Sequence, residues 1–242
     1  MTNHIENIFT AVLIQKIDSV ERLNPCICPF PTSFGICFNP CEQDNTYYLL
    51  QSDSDFVNYG QKVFEFQEKS SFLSKFCLLP SIRESEILGS NPYNDTLISM
   101  EKPCKFPLFC AGRPEIIVSY KNNKIGRIYE PFSFQFFRCL FDEIFILDKN
   151  GAITYKLKAS CFQCGIFCFF PFKTCKNIYF DVLNKQDEKV GKITHFFHSW
   201  FGEYCSKADK YGIEFPKFAT VEEKILLVSA IIFIDFIMFE NV

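Results

Sequence analysis

The sequence lacks an excess of positive charge, because 28 Asp and Glu outnumber 25 Lys and Arg and the net charge is −3. Proteins that hold nucleic acid draw much of their affinity from cationic side chains on phosphates. We therefore expect no nucleic-acid partner. The sequence also lacks a Gly-rich phosphate loop, a Gly-x-Ser-x-Gly elbow and a His-Glu-x-x-His pair. These absences argue against a conventional enzyme, and no cofactor is firmly indicated.

A secretory signal is also missing from the start of the sequence. Residues 1–7 have no basic segment followed by an apolar run and a small-residue cleavage site. We therefore expect a protein that is not secreted and that stays in a reducing compartment. The 13 cysteines are an odd number, so they cannot all pair with one another. Three roles stay open for them: buried apolar side chains, metal ligands or sites of acylation.

Aromatic residues are abundant, since phenylalanine alone accounts for 31 of 242 positions. Aromatic side chains favour strands and fill large cores, and the length suits one large all-β domain or two small ones. Four pairs of strand-like runs occur, each joined by a polar connection that suits a turn. The paired runs are residues 47–50 with 62–66, 115–120 with 125–129, 141–147 with 153–157, and 178–183 with 189–193. The connection Asp148-Lys149-Asn150-Gly151 is typical of a hairpin, because Asn-Gly tolerates positive φ.

The N-terminal forty residues have a different texture. Apolar residues in the segment 5–23 recur at helical spacing, which predicts an amphipathic helix. Three prolines among residues 24–31 then exclude helix and central strand, which predicts a linker rich in Pro and Cys. We expect residues 1–40 to form this helix and linker, and residues 41–242 to form the β-rich domain.

A second helix is predicted near the C-terminus, over residues 220–240. Thr220 and Glu223 have the spacing of a capping box, and the following turns are apolar on every side except at Ser229 and Asp235. Such a helix must be buried, and two environments stay open: the inside of a β-barrel or a lipid bilayer. The enclosed alternative requires a hydrogen-bond donor for Asp235. The residues that define this predicted buried or membrane helix are Ile225, Phe233, Asp235, Phe236 and Phe239.

Several stretches resemble the phospholipid scramblase family. The most specific is the end of the helix, where IIFIDFIMFE is similar to the family pattern L-I-D-F-x-x-F-E. YGIEFP just upstream is similar to the family's F-G-I-x-F-P. More diffuse similarities extend the match over about residues 41–240. They lie at residues 41–47, 104–118, 161–168, 190–193 and Trp200.

The resemblance implies a tubby-like fold, in which a closed barrel of roughly twelve strands encloses the C-terminal helix. It also implies bidirectional movement of phospholipids between membrane leaflets, by a protein at the cytoplasmic face of the plasma membrane. Membrane phospholipids are then the expected partners. One predicted helix offers no path for headgroups by itself, so a homo-oligomer is a further expected partner. The alternative is a membrane-tethered module that binds lipid or protein without transport.

The family's calcium loop is degenerate in this sequence. The matching positions are Lys207, Asp209, Tyr211, Ile213 and Phe218. Calcium requires six to eight oxygen ligands and a bidentate carboxylate at the last loop position. Asp209 is the only carboxylate among the five, so we expect weak or no calcium binding. The alternative interpretation of the segment is an ordinary barrel strand.

The cysteines offer two kinds of candidate site. Cys104 and Cys110 lie in a basic, aromatic segment, and Cys26 and Cys28 lie in the Pro-rich linker. Both pairs are candidates for acylation, which the resemblance also implies for Cys104 and Cys110, and stable attachment needs more than one such signal. A second cluster could bind zinc through four thiolates, although its spacing is loose and packing or acylation stays open. This cluster consists of Cys161, Cys164, Cys168 and Cys175.

Overall fold

A computed structural model describes seven stretches of the chain. They are residues 5–16, 44–70, 84–103, 114–131, 143–159, 177–196 and 209–239. The predicted linker at residues 24–40 lies outside them.

The described residues form a closed barrel of twelve antiparallel strands. The strands are β1 (Thr10–Lys16), β2 (Thr46–Ser52), β3 (Tyr59–Lys69), β4 (Ser85–Ser90), β5 (Thr96–Lys102), β6 (Glu115–Tyr120), β7 (Asn123–Tyr129), β8 (Ile144–Asp148), β9 (Ile153–Ala159), β10 (Asn177–Leu183), β11 (Lys189–Phe196) and β12 (Lys210–Glu214). Each strand pairs with its neighbours along the chain, and β1 pairs with β12 to close the barrel. Closure removes the unpaired sheet edges that would invite aggregation. The predicted all-β, twelve-stranded barrel is confirmed.

The four predicted hairpins are present as β2–β3, β6–β7, β8–β9 and β10–β11. Alternate residues of β6 are buried, as expected for a strand with one face toward a core. In the β8–β9 turn, Gly151 has a φ of +83°, the left-handed conformation that its sequence position predicted. The barrel interior is therefore built from the inward-facing residues of every strand.

The predicted N-terminal helix is wrong over the residues that the structure describes. Thr10–Lys16 is strand β1, which lies between β2 and β12. The apolar spacing arises instead because Ala11, Val12 and Leu13 are all fully buried in the closing seam. Pairing on both edges of the strand outweighs the local periodicity. The barrel thus begins upstream of residue 41.

The helix α1 (Val221–Ile234) runs inside the barrel and continues as one π-helical turn, Asp235–Phe239. The predicted capping box is present: the Thr220 side chain accepts from the Glu223 amide, and the Glu223 carboxylate accepts from the Thr220 amide at 2.8 Å. All residues from 224 to 236 are buried. Among the described residues, no helix has both the length and the apolar character needed to cross a membrane.

The two ends of the barrel differ in the lengths of their connections. We number each connection by the strand that precedes it, so connection 1 joins β1 to β2. Because successive strands alternate in direction, the odd-numbered connections lie at one end of the barrel and the even-numbered connections lie at the other. The even-numbered connections are short turns, such as residues 121–122 and 149–152, and α1 enters beside them. The odd-numbered connections are long, and α1 ends on their side. We call these the short-turn end and the long-connection end.

Candidate functional site

A buried carboxylate lies at the C-terminal end of α1. Asp235 has no exposed surface, and its two carboxylate oxygens each accept a hydrogen bond of 2.6 Å. The donors are the hydroxyl groups of Tyr47 and Tyr211. A charged or polar group inside an apolar barrel is costly unless it is hydrogen-bonded, so these two tyrosines make the position tolerable. The donor that the enclosed-helix interpretation required is therefore present.

The fold brings these three residues together from distant parts of the chain. Tyr47 is the second residue of β2 and Tyr211 is the second residue of β12, so both lie at the long-connection end. Both side chains point inward and are fully buried. The α1 helix crosses the barrel interior and presents Asp235 to them at the start of its π-helical turn. Such turns occur frequently at functional positions of helices.

A second layer surrounds the carboxylate. The His195 imidazole stacks on the Tyr211 ring, with centroids 4.6 Å apart, and its Nε2 lies 2.9 Å from Oδ1 of Asp209. His195 is buried, whereas the Asp209 side chain is 30% exposed. His195 therefore lies between the partly exposed Asp209, which it contacts through Nε2, and the Tyr211 ring, whose hydroxyl group donates to Asp235.

Two further ionisable side chains lie at the same end. Glu68 is buried and accepts hydrogen bonds from the backbone and side-chain amides of Asn45, at 3.2 and 2.9 Å. Lys102 is also buried, and its Nζ lies 5.4 Å from the centroid of the Phe236 ring. A cation placed over an aromatic face is favourable, which helps to compensate the burial of Lys102.

The environment of Asp235 changes its acidity. Burial raises the pKa of its carboxyl from 3.8 to about 7, and the negative charge of Asp209 acts in the same direction. The hydrogen bonds from Tyr211 and Tyr47 oppose the rise without cancelling it. Asp235 can therefore gain or lose a proton near neutral pH.

The structure places the other predicted helix residues in the core. Ile225, Phe233 and Phe236 are buried inside the barrel. The backbone of Phe239 ends the π-helical turn. The cysteine candidates fall in the connections: Cys26, Cys28, Cys104, Cys110, Cys161, Cys164, Cys168 and Cys175 all lie outside the described residues. Within the described ranges, no group of three or more His, Cys, Asp and Glu side chains is placed to hold a metal.

The stretch that matches the family's calcium loop is largely a strand. Lys207 lies outside the described residues, and residues 210–214 form β12, as the strand interpretation predicted. Tyr211 and Ile213 point into the core, and Phe218 is 90% exposed. In the described part, Asp209 is engaged with His195, and no second carboxylate lies beside it to complete an oxygen cage. These residues do not fit calcium, and weak or absent binding stays a prediction.

The sequence alone did not identify the residues around Asp235. Tyr47, His195, Lys102 and Glu68 come from four different strands, and their spacing in the chain has no motif. The signal available in the sequence was that a buried Asp235 needs hydrogen-bond donors.

Comparisons with known proteins agree with the fold. A family model described as "Scramblase" matches residues 37–241. Human phospholipid scramblase 1 is 22% identical over 211 residues, which cover 83% of this chain and 58% of that protein. Human phospholipid scramblase 2 is 21% identical over 212 residues, which cover 83% of this chain and 62% of that protein. The chain thus spans about three fifths of the length of these curated relatives. No solved structure matches it.

The family match covers most of the chain, from the segment before β2 to the end of the π-helical turn. It therefore includes the strands that carry Tyr47, His195 and Tyr211 and the helix that carries Asp235. The chain belongs to the Scramblase family.

Proposed function

We propose that this protein is a membrane-associated lipid translocator that moves phospholipids in both directions between leaflets, rather than a conventional enzyme. Family membership and the names of its human relatives support this function. Membrane phospholipids are its substrates. The proposal does not require calcium at residues 207–218, because the described part of that stretch does not fit the ion.

The observation that carries the proposal is the contrast between the two barrel ends. The connections at the long-connection end contain all 13 cysteines and most of the 31 phenylalanines, whereas the short turns contain no cysteine. Cysteine can carry acyl chains, and phenylalanine is one of the apolar residues with which surface-bound segments enter the boundary between headgroups and acyl chains. We therefore assign the long-connection end as the membrane-facing end. Asp235, the buried carboxylate at the C-terminal end of the enclosed helix, lies on that side.

Attachment at this end would use more than one signal. Cys104 and Cys110 belong to the β5–β6 connection, and Cys26 and Cys28 belong to the β1–β2 connection. Because a single acyl chain gives only marginal membrane binding, we propose that both segments carry acyl groups. This arrangement would hold the barrel at the cytoplasmic face of the plasma membrane. Movement of headgroups would then require a homo-oligomer or local thinning of the bilayer.

A second function is favoured by the enclosed position of α1. A helix whose residues 224–236 are buried among barrel strands has little apolar surface left for lipid. The alternative is accordingly a membrane-tethered module that binds lipid or protein partners without transporting lipid. The two functions differ in one measurable property, the rate of lipid exchange between leaflets.

Reconstitution into liposomes separates the two functions. A fluorescent phospholipid is placed in both leaflets, and a membrane-impermeant reductant then quenches the outer leaflet. Loss of clearly more than half of the fluorescence, with and without calcium, is expected for calcium-independent scrambling. A plateau at the level of protein-free vesicles, in vesicles shown to contain the protein, would overturn transport and favour the binding module.

The attachment signals need a separate test in cells. Thioester-linked acyl groups are detected by hydroxylamine-sensitive labelling, and the location of the protein is followed by membrane fractionation. The labelling is expected to decrease in two double variants, Cys104→Ser with Cys110→Ser and Cys26→Ser with Cys28→Ser. We expect the variant with all four cysteines replaced to be lost from the plasma-membrane fraction. Unchanged labelling in that variant would remove acylation at these positions from the proposal.

A further inference from the structure

The β2–β3 turn, residues 53–58, leaves the short-turn end and folds back onto the outer wall of the barrel. Gly212 of β12 points outward, because its neighbours Tyr211 and Ile213 both face the core. A Cβ placed on Gly212 would lie 2.8 Å from Cδ1 of Phe56, so the Phe56 ring lies against the outer surface of β12. The turn therefore crosses the outer face of β1, which lies between β2 and β12. We call residues 53–58 the strap.

The Phe56 ring fills a groove in this outer wall. Val12 and Thr194 are the cross-strand neighbours of Gly212, so their side chains also point outward, yet both are buried. Phe196 forms one side of the groove, with its ring centroid 5.7 Å from that of Phe56 in an edge-on arrangement. The groove is deep enough for an aromatic ring because the glycine at position 212 has no side chain.

The backbone of the strap is strained at the residue that fills the groove. Phe56 has a φ of +56°, a left-handed conformation that is costly for a residue with a Cβ. Asp53 holds this shape, since its carboxylate accepts hydrogen bonds from the amides of Val57 and Asn58 at 3.0 and 3.2 Å. Strain at Phe56 lowers the free energy needed to lift the strap, and strained residues cluster at ligand-binding and switch positions.

A lysine beside the groove has no acidic partner among the described residues. The Lys210 ammonium donates to the Phe56 carbonyl oxygen at 2.9 Å. It also lies 4.7 Å from the centroid of the Phe196 ring and 5.0 Å from that of Tyr59. No carboxylate in the described ranges makes an ion pair with it. Tyr59 and Val57 are exposed beside the strap, so the groove is bordered by apolar surface and one cation.

We propose that this groove is a docking site for an acidic segment of a partner protein with one aromatic anchor, and that the strap is its displaceable cover. The partner's ring would replace the Phe56 ring over Gly212, and its carboxylate would pair with Lys210. The strap itself shows the chemistry that the groove accepts, because Phe56 directly follows an acidic residue, Asp55. This inference concerns a protein partner and is independent of lipid transport.

The strap sequence provides a probe for the groove. A synthetic peptide of residues 52–59, SDSDFVNY, is titrated into the purified full chain, and binding is located by the NMR shift of the Gly212 amide. In Phe56→Gly the ring is removed, and glycine accepts the positive φ without strain, so the turn can keep its backbone. The peptide should bind Phe56→Gly at least about tenfold more tightly than the parent protein, because the parent must first lift its own strap.

The ring and the groove have separate controls in the Phe56→Gly background. A peptide that carries Phe56→Ala lacks the ring and should bind at least about tenfold more weakly. Adding Gly212→Val fills the groove and should abolish binding of the original peptide. The melting temperature should stay close to that of Phe56→Gly, since the three atoms nearest to an added Cβ at position 212 all belong to Phe56. Weaker binding by Gly212→Val then cannot be attributed to unfolding.

The charge of the partner is tested through the lysine. In the Phe56→Gly background, Lys210→Gln should weaken peptide binding several-fold, because the carboxylates of the peptide lose their cation. The matched control is Lys158→Gln, a lysine of β9 that pairs with Glu143, and it should leave the affinity unchanged. Equal loss in both variants would show that only net charge matters, and it would overturn an acidic segment as the specific occupant.

The remaining outcomes decide whether the strap is a cover. Weaker but measurable binding to the parent protein supports a strap that can be displaced. No binding to the parent at roughly millimolar peptide would show that the strap is a permanent part of the wall, and it would overturn the inference. No binding to Phe56→Gly, or equal affinities for it and the parent, would overturn it as well. Flotation with phosphatidylcholine vesicles tests another occupant: a gain by Phe56→Gly without peptide binding would replace the protein partner by lipid.

Discussion

The protein is expected to lose stability between pH 5 and pH 8 because the buried Asp235 carboxyl ionises in this range. Replacement of Asp235 by Asn is expected to abolish this loss. The folded carboxyl has a pKa of about 7, whereas the unfolded chain has the ordinary value of 3.8. Between these values the folded state binds more protons than the unfolded state, so the free energy of unfolding decreases as the pH rises. The contribution is fully present below about pH 4 and is lost above about pH 7.

The size of this effect follows from the two pKa values. Their difference corresponds to roughly 4 kcal/mol over the whole range, at about 1.4 kcal/mol per unit. Between pH 5 and pH 8, roughly 2–3 kcal/mol of that amount should be lost. For a chain of this size, such a change shifts the melting temperature by about 5–10 °C. Because Asp235 is fully buried, solvent does not reduce the effect.

The Asn side chain mimics the protonated acid. It can accept from one tyrosine hydroxyl through its carbonyl oxygen and donate to the other through its amide. Denaturant unfolding of the parent protein and of Asp235→Asn, measured at several pH values, should therefore give curves that diverge as the pH rises, with the variant more stable at pH 8. Asp181→Asn is the matched control, since Asp181 makes an ion pair with Lys189 on the barrel exterior, and it should retain the slope of the parent protein. Parallel curves for the parent protein and Asp235→Asn would refute the reasoning.

Three further predictions concern stability. Lys224→Met should lower the free energy of unfolding by about 2 kcal/mol or more, because the Lys224 ammonium donates to three backbone carbonyls of residues 5–8 that would lose their partner. Amide hydrogen exchange in residues 9–16 should become faster. Unchanged protection there would show that these three hydrogen bonds do not hold the N-terminal strand in place. Gly126→Ala should prevent stable folding, since a Cβ would lie 2.1 Å from the Leu147 carbonyl oxygen. The control is Gly60→Ala, where the nearest atom to the added Cβ is 3.5 Å away. This control should stay soluble and folded in the same expression and melting assay. Thr220→Ala should cost about 1 kcal/mol in denaturant unfolding through loss of the helix cap, and a cost near zero would show that barrel packing alone sets the start of α1.

Local patterns in the sequence were enough to predict several elements. The polar turns between β-rich runs predicted four hairpins, and the capping box with its apolar continuation predicted the helix. These features depend on residues close together in the chain, such as Asn150 with Gly151 or Thr220 with Glu223. The family resemblance supplied the closed barrel, which turn patterns alone do not specify. The same local approach failed at β1, where pairing with β2 and β12 decided the conformation.

The functional arrangement depended on the tertiary structure. The sequence established that Asp235 needed a donor, but only barrel closure brings Tyr47, 188 positions away, and Tyr211 to its two oxygens. Register likewise set Gly212 between Val12 and Thr194, where the groove that Phe56 fills is formed. Contacts between strands depend on which residues face each other across the sheet, and a shift of one residue would reverse every side chain. The sequence therefore determined the elements and the need for a buried partner, whereas pairing in three dimensions decided which side chains meet.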